Sequence, residues 1–296
     1  EGGLVFDVER GQDYLQTNQQ AGEGDGSAFF TSLDSDGFTV TGSDGSANAS
    51  GDNYVAWNWL AGGSGVDNDD GTIDDALVSA NTTAGFSIVS YTGDGNSGAT
   101  VGHGLSAVPE LFIVKSRDLT VDWVVYSEPV GNTAAMQLNQ SDGPYTYAQY
   151  FNNTSPTASV FSVGSSNVVN DNTEGYIAYC FHSVEGYSKV GSYEGNGNAD
   201  GTFIYTGFRP AYILIKRTDT SGNGWNVLDN RRLPYNGAVY PLYPNTTAAE
   251  NQAGSLVDFV ANGVKIVNTD NDINNSSGSY IYIAFAKSPF KYANAR

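Results

Sequence analysis

Residues 86–95 read Phe86-Ser-Ile-Val-Ser-Tyr91-Thr-Gly-Asp-Gly95, and the phrase returns as Ser188-Lys-Val-Gly-Ser-Tyr193-Glu-Gly-Asn-Gly197. The two tyrosines stand 102 residues apart, and the landmarks downstream keep their order. Pro109-Glu-Leu-Phe-Ile-Val-Lys115 matches Pro210-Ala-Tyr-Ile-Leu-Ile-Lys216, and Trp123-Val-Val-Tyr126 matches Trp225-Asn-Val-Leu228. Val160-Phe161-Ser-Val163 then matches Val264-Lys-Ile266, and Tyr176-Ile-Ala-Tyr179 matches Tyr282-Ile-Ala-Phe285. Self-similarity at a fixed period is the signature of a repeat architecture. A third copy opens the chain: Asp36-Gly-Phe38-Thr-Val40 corresponds to the Phe161 landmark and Tyr54-Val-Ala-Trp57 to the Tyr176 landmark, with nothing to match the first half. The chain is therefore expected to begin in the middle of a module.

The expected organisation is a partial β module over 1–60, a linker or long surface loop over 61–83, and full modules over 84–186 and 187–296. The stretch 61–83 reads as a linker because it is rich in Gly, Asp, Asn and Ser and poor in large apolar residues. The short junction at Glu185-Gly186-Tyr187 predicts a more fixed orientation between the second and third modules than between the first and second.

Inside each module, short runs rich in Val, Ile, Tyr and Phe are cut by Gly, Asn, Asp and Ser, the pattern of many strands joined by turns. No stretch of helix length carries apolar residues at three-and-four spacing together with start and stop signals, so little helix is expected. The fold class is read as all-β, a tandem array of jelly-roll-like β-sandwich modules of about 100 residues. Tyr176-Ile-Ala-Tyr-Cys-Phe181 and Tyr280-Ile-Tyr-Ile-Ala-Phe285 are apolar at every position, so neither face of these strands is wet and both are expected to be central.

Composition narrows the functional classes. The 296 residues carry 32 Asp plus Glu against 13 Lys plus Arg, a formal charge of -19. Such a surface repels phosphate backbones and anionic membranes, so neither nucleic acid nor membrane insertion is expected. The longest apolar runs are a few residues, far short of a membrane-spanning helix. Cys180, the single cysteine, forms no internal disulfide and reads as a small buried hydrophobe.

Asp34-Ser-Asp-Gly-Phe38-Thr, Tyr54-Val-Ala-Trp57, Tyr91-Thr-Gly-Asp-Gly95, Pro109-x-x-x-Ile113-Val-Lys115, Gly207-Phe-Arg-Pro210 and the terminus Pro289-Phe-Lys-Tyr-Ala-Asn-Ala-Arg296 together carry a likeness. The chain resembles β-rich repeat modules of virion structural proteins in marine tailed bacteriophages, of the tail-fibre-like or virion-surface kind. The resemblance implies a non-enzymatic structural protein on the virion surface, extracellular with respect to the host, forming part of a fibre, tail appendage or capsid decoration. Its partners would be other virion proteins and copies of itself. It brings no catalytic residues. Two alternatives stand beside it: an adhesin that attaches to a host-surface glycan or receptor, and a polysaccharide-degrading tail enzyme.

Gly93-Asp-Gly95-Asn-Ser-Gly98 has the glycine spacing of a dinucleotide loop, but a strand rather than a helix is expected after it, which makes it a hairpin turn. His103 and His182 do not recur in the third module and are read as structural. No carboxylate pair stands out for glycoside hydrolysis. Asp67, Asp69 and Asp70, in the acidic run to Asp75, are the calcium candidates, with Asp270 to Asp272 as a second loose site. The run fails the helix-loop-helix spacing, since Val66 breaks it and no glutamate closes the loop. No other cofactor is expected. Asn48, Asn81, Asn153 and Asn245 begin glycosylation-type triplets that arise from composition alone. Tyr145, Tyr147 and Tyr150 are the ligand-binding candidates, as loop aromatics able to stack on a sugar or a protein surface.

Overall fold

The computed structural model describes residues 2–232, 236, 239–250 and 254–288; the terminus 289–296 quoted above lies outside the described residues. The first repeat holds β1 (Leu4–Val5), β2 (Asp13–Gln16), β3 (Gly24–Asp25), β4 (Phe30–Asp34) and β5 (Gly37–Val40). After it come β6 (Val66–Asn68) and β7 (Ala76–Asn81). The second repeat holds β8 (Phe86–Thr92), β9 (Ala99–Gly102), β10 (Leu111–Ser116), β11 (Val124–Ser127), β12 (Ala134–Gln137), β13 (Tyr145–Thr146), the four-residue helix α1 (Ala148–Phe151), β14 (Val160–Val163) and β15 (Gly175–Phe181). The third holds β16 (Ser188–Glu194), β17 (Phe203–Tyr205), β18 (Pro210–Arg217), β19 (Trp225–Asp229), β20 (Val257–Val260), β21 (Gly263–Ile266), α2 (Asn271–Asn274) and β22 (Ser279–Ala286). The all-β reading is borne out.

The repeat is visible in the pairing. β15 lies between β8 and β10 in an eight-stranded antiparallel sheet, ordered β13-β12-β11-β10-β15-β8-β7-β6. β22 lies between β16 and β18 in the four-stranded sheet β16-β22-β18-β19, and because Tyr280 pairs with Tyr193 as Tyr176 pairs with Tyr91, the counterpart of Tyr176 is corrected from Tyr282 to Tyr280. Both all-apolar strands are thus central, and alternation along a strand explains their composition. Tyr176, Ala178 and Cys180 enter a core roofed by β9, β14 and α1, while Ile177 and Tyr179 enter a different one. Likewise Tyr280, Tyr282 and Ala284 face a core shared with the sheet β17-β21-β20, while Ile281, Ile283 and Phe285 face away from it.

The second faces of the two large sheets meet each other. Phe86, Ile88, Leu111, Val125 and Ile177 from the second repeat pack in one cluster with Val190, Leu214, Val227, Ile281 and Ile283 from the third. The sandwich-like layering therefore runs through the junction between repeats: the second and third repeats both supply the middle core, and Leu15 of the first joins it.

Residues 61–83, expected as a linker or long loop, instead contribute β6 and β7. Ala76, Val78 and Ala80 alternate along β7 and pack on the second repeat's core, and β7 pairs with β8 from Leu77↔Ser90 to Asn81↔Phe86. Composition hid this because the polar residues are gathered in the turn between the two strands.

Two long side chains lock each repeat to the one before it. Trp123 and Lys115 are buried, and Trp123 Nε1 donates to Gln16 O at 3.0 Å while Lys115 Nζ donates to Gln20 O at 3.0 Å. In the third repeat Trp225 Nε1 donates to Gln137 O at 2.8 Å and Lys216 Nζ to Ser141 O at 3.1 Å. The acceptors are four residues apart both times, 16 and 20, then 137 and 141. This equivalence reveals what sequence did not: β1-β2-β3 repeats the meander β11-β12-β13, with the register pair Asp13↔Asp25 answering Ala134↔Thr146. The first repeat therefore contains the counterparts of β11 to β14, and the segment from Tyr54 to Leu60 stands in the place of β15.

Replacing Trp225 with Ala removes a fully buried ring and its anchoring bond, and should cost about 3–5 kcal/mol in a denaturant titration. The exposed Val66→Ser control should stay within about 0.5 kcal/mol. A small Trp225→Ala effect would mean that the middle core does not hold the repeats together.

Candidate functional site

The residues singled out from sequence do not converge. Gly93 to Gly98 forms the loop between β8 and β9, with positive φ at Gly95 and Gly98 (72° and 85°); a strand follows as expected, but it lies in a different sheet and pairs with β14, so the expected hairpin is corrected to a crossing between sheets. His103 is fully buried: Leu105 N donates to its Nδ1 at 3.2 Å, which leaves Nε2 to donate to Thr157 O at 3.1 Å. That pairing needs the neutral ring, and burial pushes its pKa below the usual histidine value. His182 Nδ1 lies 2.9 Å from Ser183 O, so both imidazoles are spent on main-chain carbonyls.

Asp67 lies on β6, with Asp69 and Asp70 in the turn after it, where Asp70 N donates to Asn68 Oδ1 at 3.2 Å. Among the described residues no three His, Cys, Asp or Glu side chains gather where they could hold a cation. The aspartates therefore form no preassembled cage, as alternating strand positions and an open turn would lead one to expect. Asp270 caps α2, accepting from Asp272 N at 2.8 Å, and this accounts for the acidic pair there.

The tyrosine trio divides. Tyr150 is buried and bonded to Tyr145, hydroxyl to hydroxyl, at 2.9 Å; Tyr147 is exposed, with its ring edge-on to Tyr150 at 4.7 Å. The reading of all three as loop aromatics available to a ligand is thus corrected, because Tyr150 sits on α1 and closes the second repeat's core.

The most polarised group of side chains was not legible in sequence, since its members are distant in the chain. Arg10 Nε and the Tyr179 hydroxyl both donate to Asp7 Oδ2, at 2.7 and 2.6 Å, and Arg10 Nη2 donates to the Tyr179 oxygen at 3.0 Å. Glu23 extends the network to Arg117, which donates through Nε at 2.7 Å. The Arg10 and Asp7 side chains are essentially inaccessible. The charge is fully compensated and no substrate reaches it, so this is a structural tie between the first and second repeats. Asp122 is similarly saturated, accepting from four amides: those of Gln20, Asn139 and Gln140 at Oδ1 and that of Gln137 at Oδ2.

A shallow hollow lined by Pro129, Ser192, Tyr193, Glu194, Thr218, Ser279, Tyr280 and Ile281 has Glu194 as its one carboxylate. It holds no second acid or base for glycoside chemistry. The surface that stands out lies elsewhere, on the first repeat. There Leu33, Phe38, Tyr54 and Leu60 are exposed, and the segment from Tyr54 to Leu60, in the place of β15, is paired with no strand among the described residues.

Two measurements test the buried groups. Burial pushes the Cys180 thiol up to about 12 from an ordinary value of 9.0, so the folded chain should not react with a disulfide reagent at pH 8, and one thiol should appear in denaturant. The raised value also means that this group's contribution to stability is intact below pH 9 and fades as the pH climbs toward 12. Asp7→Ala, which leaves Arg10 buried and unpaired, should cost about 3–5 kcal/mol on denaturant unfolding; a loss below about 1 kcal/mol would show that solvent reaches the guanidinium.

No curated protein and no solved structure matches the chain. A family model described as Domain of unknown function (DUF7483) matches residues 3–289, and so covers all three repeats. The chain therefore belongs to the DUF7483 family.

Proposed function

We propose that this chain is a non-enzymatic structural protein of a virion surface, built as part of a fibre, tail appendage or capsid decoration. The observation that carries the reading is the junction between repeats. Successive repeats share one core and are pinned by buried Trp and Lys anchors, an arrangement suited to bearing load along a series. The buried Lys115 and Lys216 ammonium groups are spent on main-chain carbonyls, and the ionic tie at Asp7 and Arg10 is closed to solvent. The acidic surface favours a soluble extracellular setting. Its partners would be neighbouring virion proteins. The glycan-binding alternative draws support from Tyr147, whose exposed ring beside Tyr150 offers a stacking surface for a sugar.

Gold-labelled antibody raised against the folded chain and applied to purified particles tests the proposal. Periodic label along a fibre, or regular label over a shell, is the expected result. Label confined to the soluble lysate would overturn it, as would catalytic turnover by the purified chain on a polysaccharide panel. Label at a distal tip together with a glycan-array signal lost in Tyr147→Ala would favour the adhesin reading instead.

A further inference from the structure

β9 of the second repeat and β17 of the third hold the same place. Val101 pairs with Phe161 and Ile204 with Val264, and all four side chains are buried. His103 N donates to Ser159 O and Thr206 N to Asn262 O, both at 3.1 Å, so the ladder alternates in the same phase in the two repeats. The main-chain groups of Val101 and Ile204 therefore face the inner neighbour, and those of Thr100 and Phe203 face the outer edge.

The second repeat fills that edge. Thr100 N donates to Thr72 Oγ1 and Thr72 N to Thr100 Oγ1, both at 2.9 Å, and Ile73 N donates to Thr100 O at 3.0 Å. Ile73 bridges Val101 in parallel and buries its side chain in the second repeat's core. The cover is thus an extended piece of chain, drawn from the stretch 61–83 that separates the first repeat from the second. Only residues 182–187 separate β15 from β16, and they send no such piece to β17. The difference lies between two complete repeats, in the interior of the chain.

At β17 the outer edge is open. The strand is bonded only to β21, and Phe203 N and O meet no partner among the described residues. Tyr205 O takes one long bond, 3.4 Å, from the Tyr282 hydroxyl, which leaves it a lone pair. Where the covered edge has the small Thr100 and Gly102, the open one has Phe203, 44% exposed, and Tyr205, 65% exposed. The Phe203 ring is seated over Gly263, so close that a β-carbon there would come within 2.9 Å of it. Outer strands β6 and β16 carry Asp67, Lys189 and Glu194, the kind of charge that keeps sheet edges apart, whereas residues 201–207 carry none.

We infer that β17 is a self-association edge, at which two copies of this chain pair antiparallel across a twofold axis and join their three-stranded sheets into one. The occupant is a second copy because the edge complements itself. Phe203 set opposite the partner's Tyr205 aligns the outward main-chain groups of both strands and lays two aromatic pairs on one face. The uncharged stretch lets two chains of formal charge -19 meet there without a direct clash of like charges. This contact concerns the chain and its own copy, and it stands whether or not the chain belongs to a virion surface.

Sedimentation equilibrium of the whole chain tests the inference, and a reversible monomer–dimer equilibrium is expected. Phe203→Pro deletes the outward N–H and spares the bonds to β21, since Phe203 N makes none of them. Tyr205→Lys sets a charge on the same edge at an exposed position. Each should weaken dimerisation about tenfold or more, with near-ultraviolet circular dichroism unchanged. Val66→Lys, on the exposed edge strand β6, should leave dimerisation as it is. A chain that stays monomeric at every concentration would overturn the inference, as would a dimer that tolerates both β17 substitutions.

Discussion

A β-sheet with apolar side chains on both faces must be covered twice, and this requirement organises the molecule. The second and third repeats each cover one face of their main sheet internally, with the β9 and β14 pair or with β17-β21-β20. The remaining faces cover one another. Burial of this kind contributes roughly 1.5–3 kcal/mol for each large aliphatic or aromatic side chain, so the shared layer outweighs any single polar contact across it. Separating the repeats would expose the layer on both sides, which makes the second and third repeats one cooperative body despite their separate sequence signatures.

Polar chemistry then fixes the alignment that the apolar layer leaves loose. Apolar surfaces attract without direction, whereas an indole N–H or an ammonium group must meet an acceptor at a set place. Burial drives the Lys115 and Lys216 ammonium groups down to about 8, partly opposed by Asp122 and Glu23 around the first and by Asp272 and Asp142 around the second. Lys216 also lies 6.0 Å from the centre of the Trp225 ring. Each lysine carries this desolvation cost in exchange for a bond that specifies register, a use of buried charge that favours one arrangement over near alternatives.

Much of this was legible in the sequence, and the limits have physical causes. Tyr91 and Tyr193, Lys115 and Lys216, and Trp123 and Trp225 marked the repeat because each occupies a buried place with its own partners. The continuous apolar runs at Tyr176 and Tyr280 announced doubly buried central strands, but not that the cover would come from the neighbouring repeat. β1 to β3 went unseen as a repeated meander because its shared contacts are made through main-chain carbonyls, which leave no side-chain trace. The Asp7, Arg10 and Tyr179 tie spans 172 residues and has no local pattern to betray it. Tyr147 and Tyr150 look alike in sequence, and only α1 sends one of them inward.

The anchors reach for carbonyl oxygens, and the residues that own those oxygens are Gln16 and Gln20 in one place and Gln137 and Ser141 in the other. A joint that grips the peptide backbone is indifferent to the side chains it passes. Substitutions on the gripped strand can accumulate without loosening it, and any unit with the same backbone course fits the same hand. Such a coupling lets units be duplicated, deleted or exchanged by recombination while the surfaces they display diverge freely.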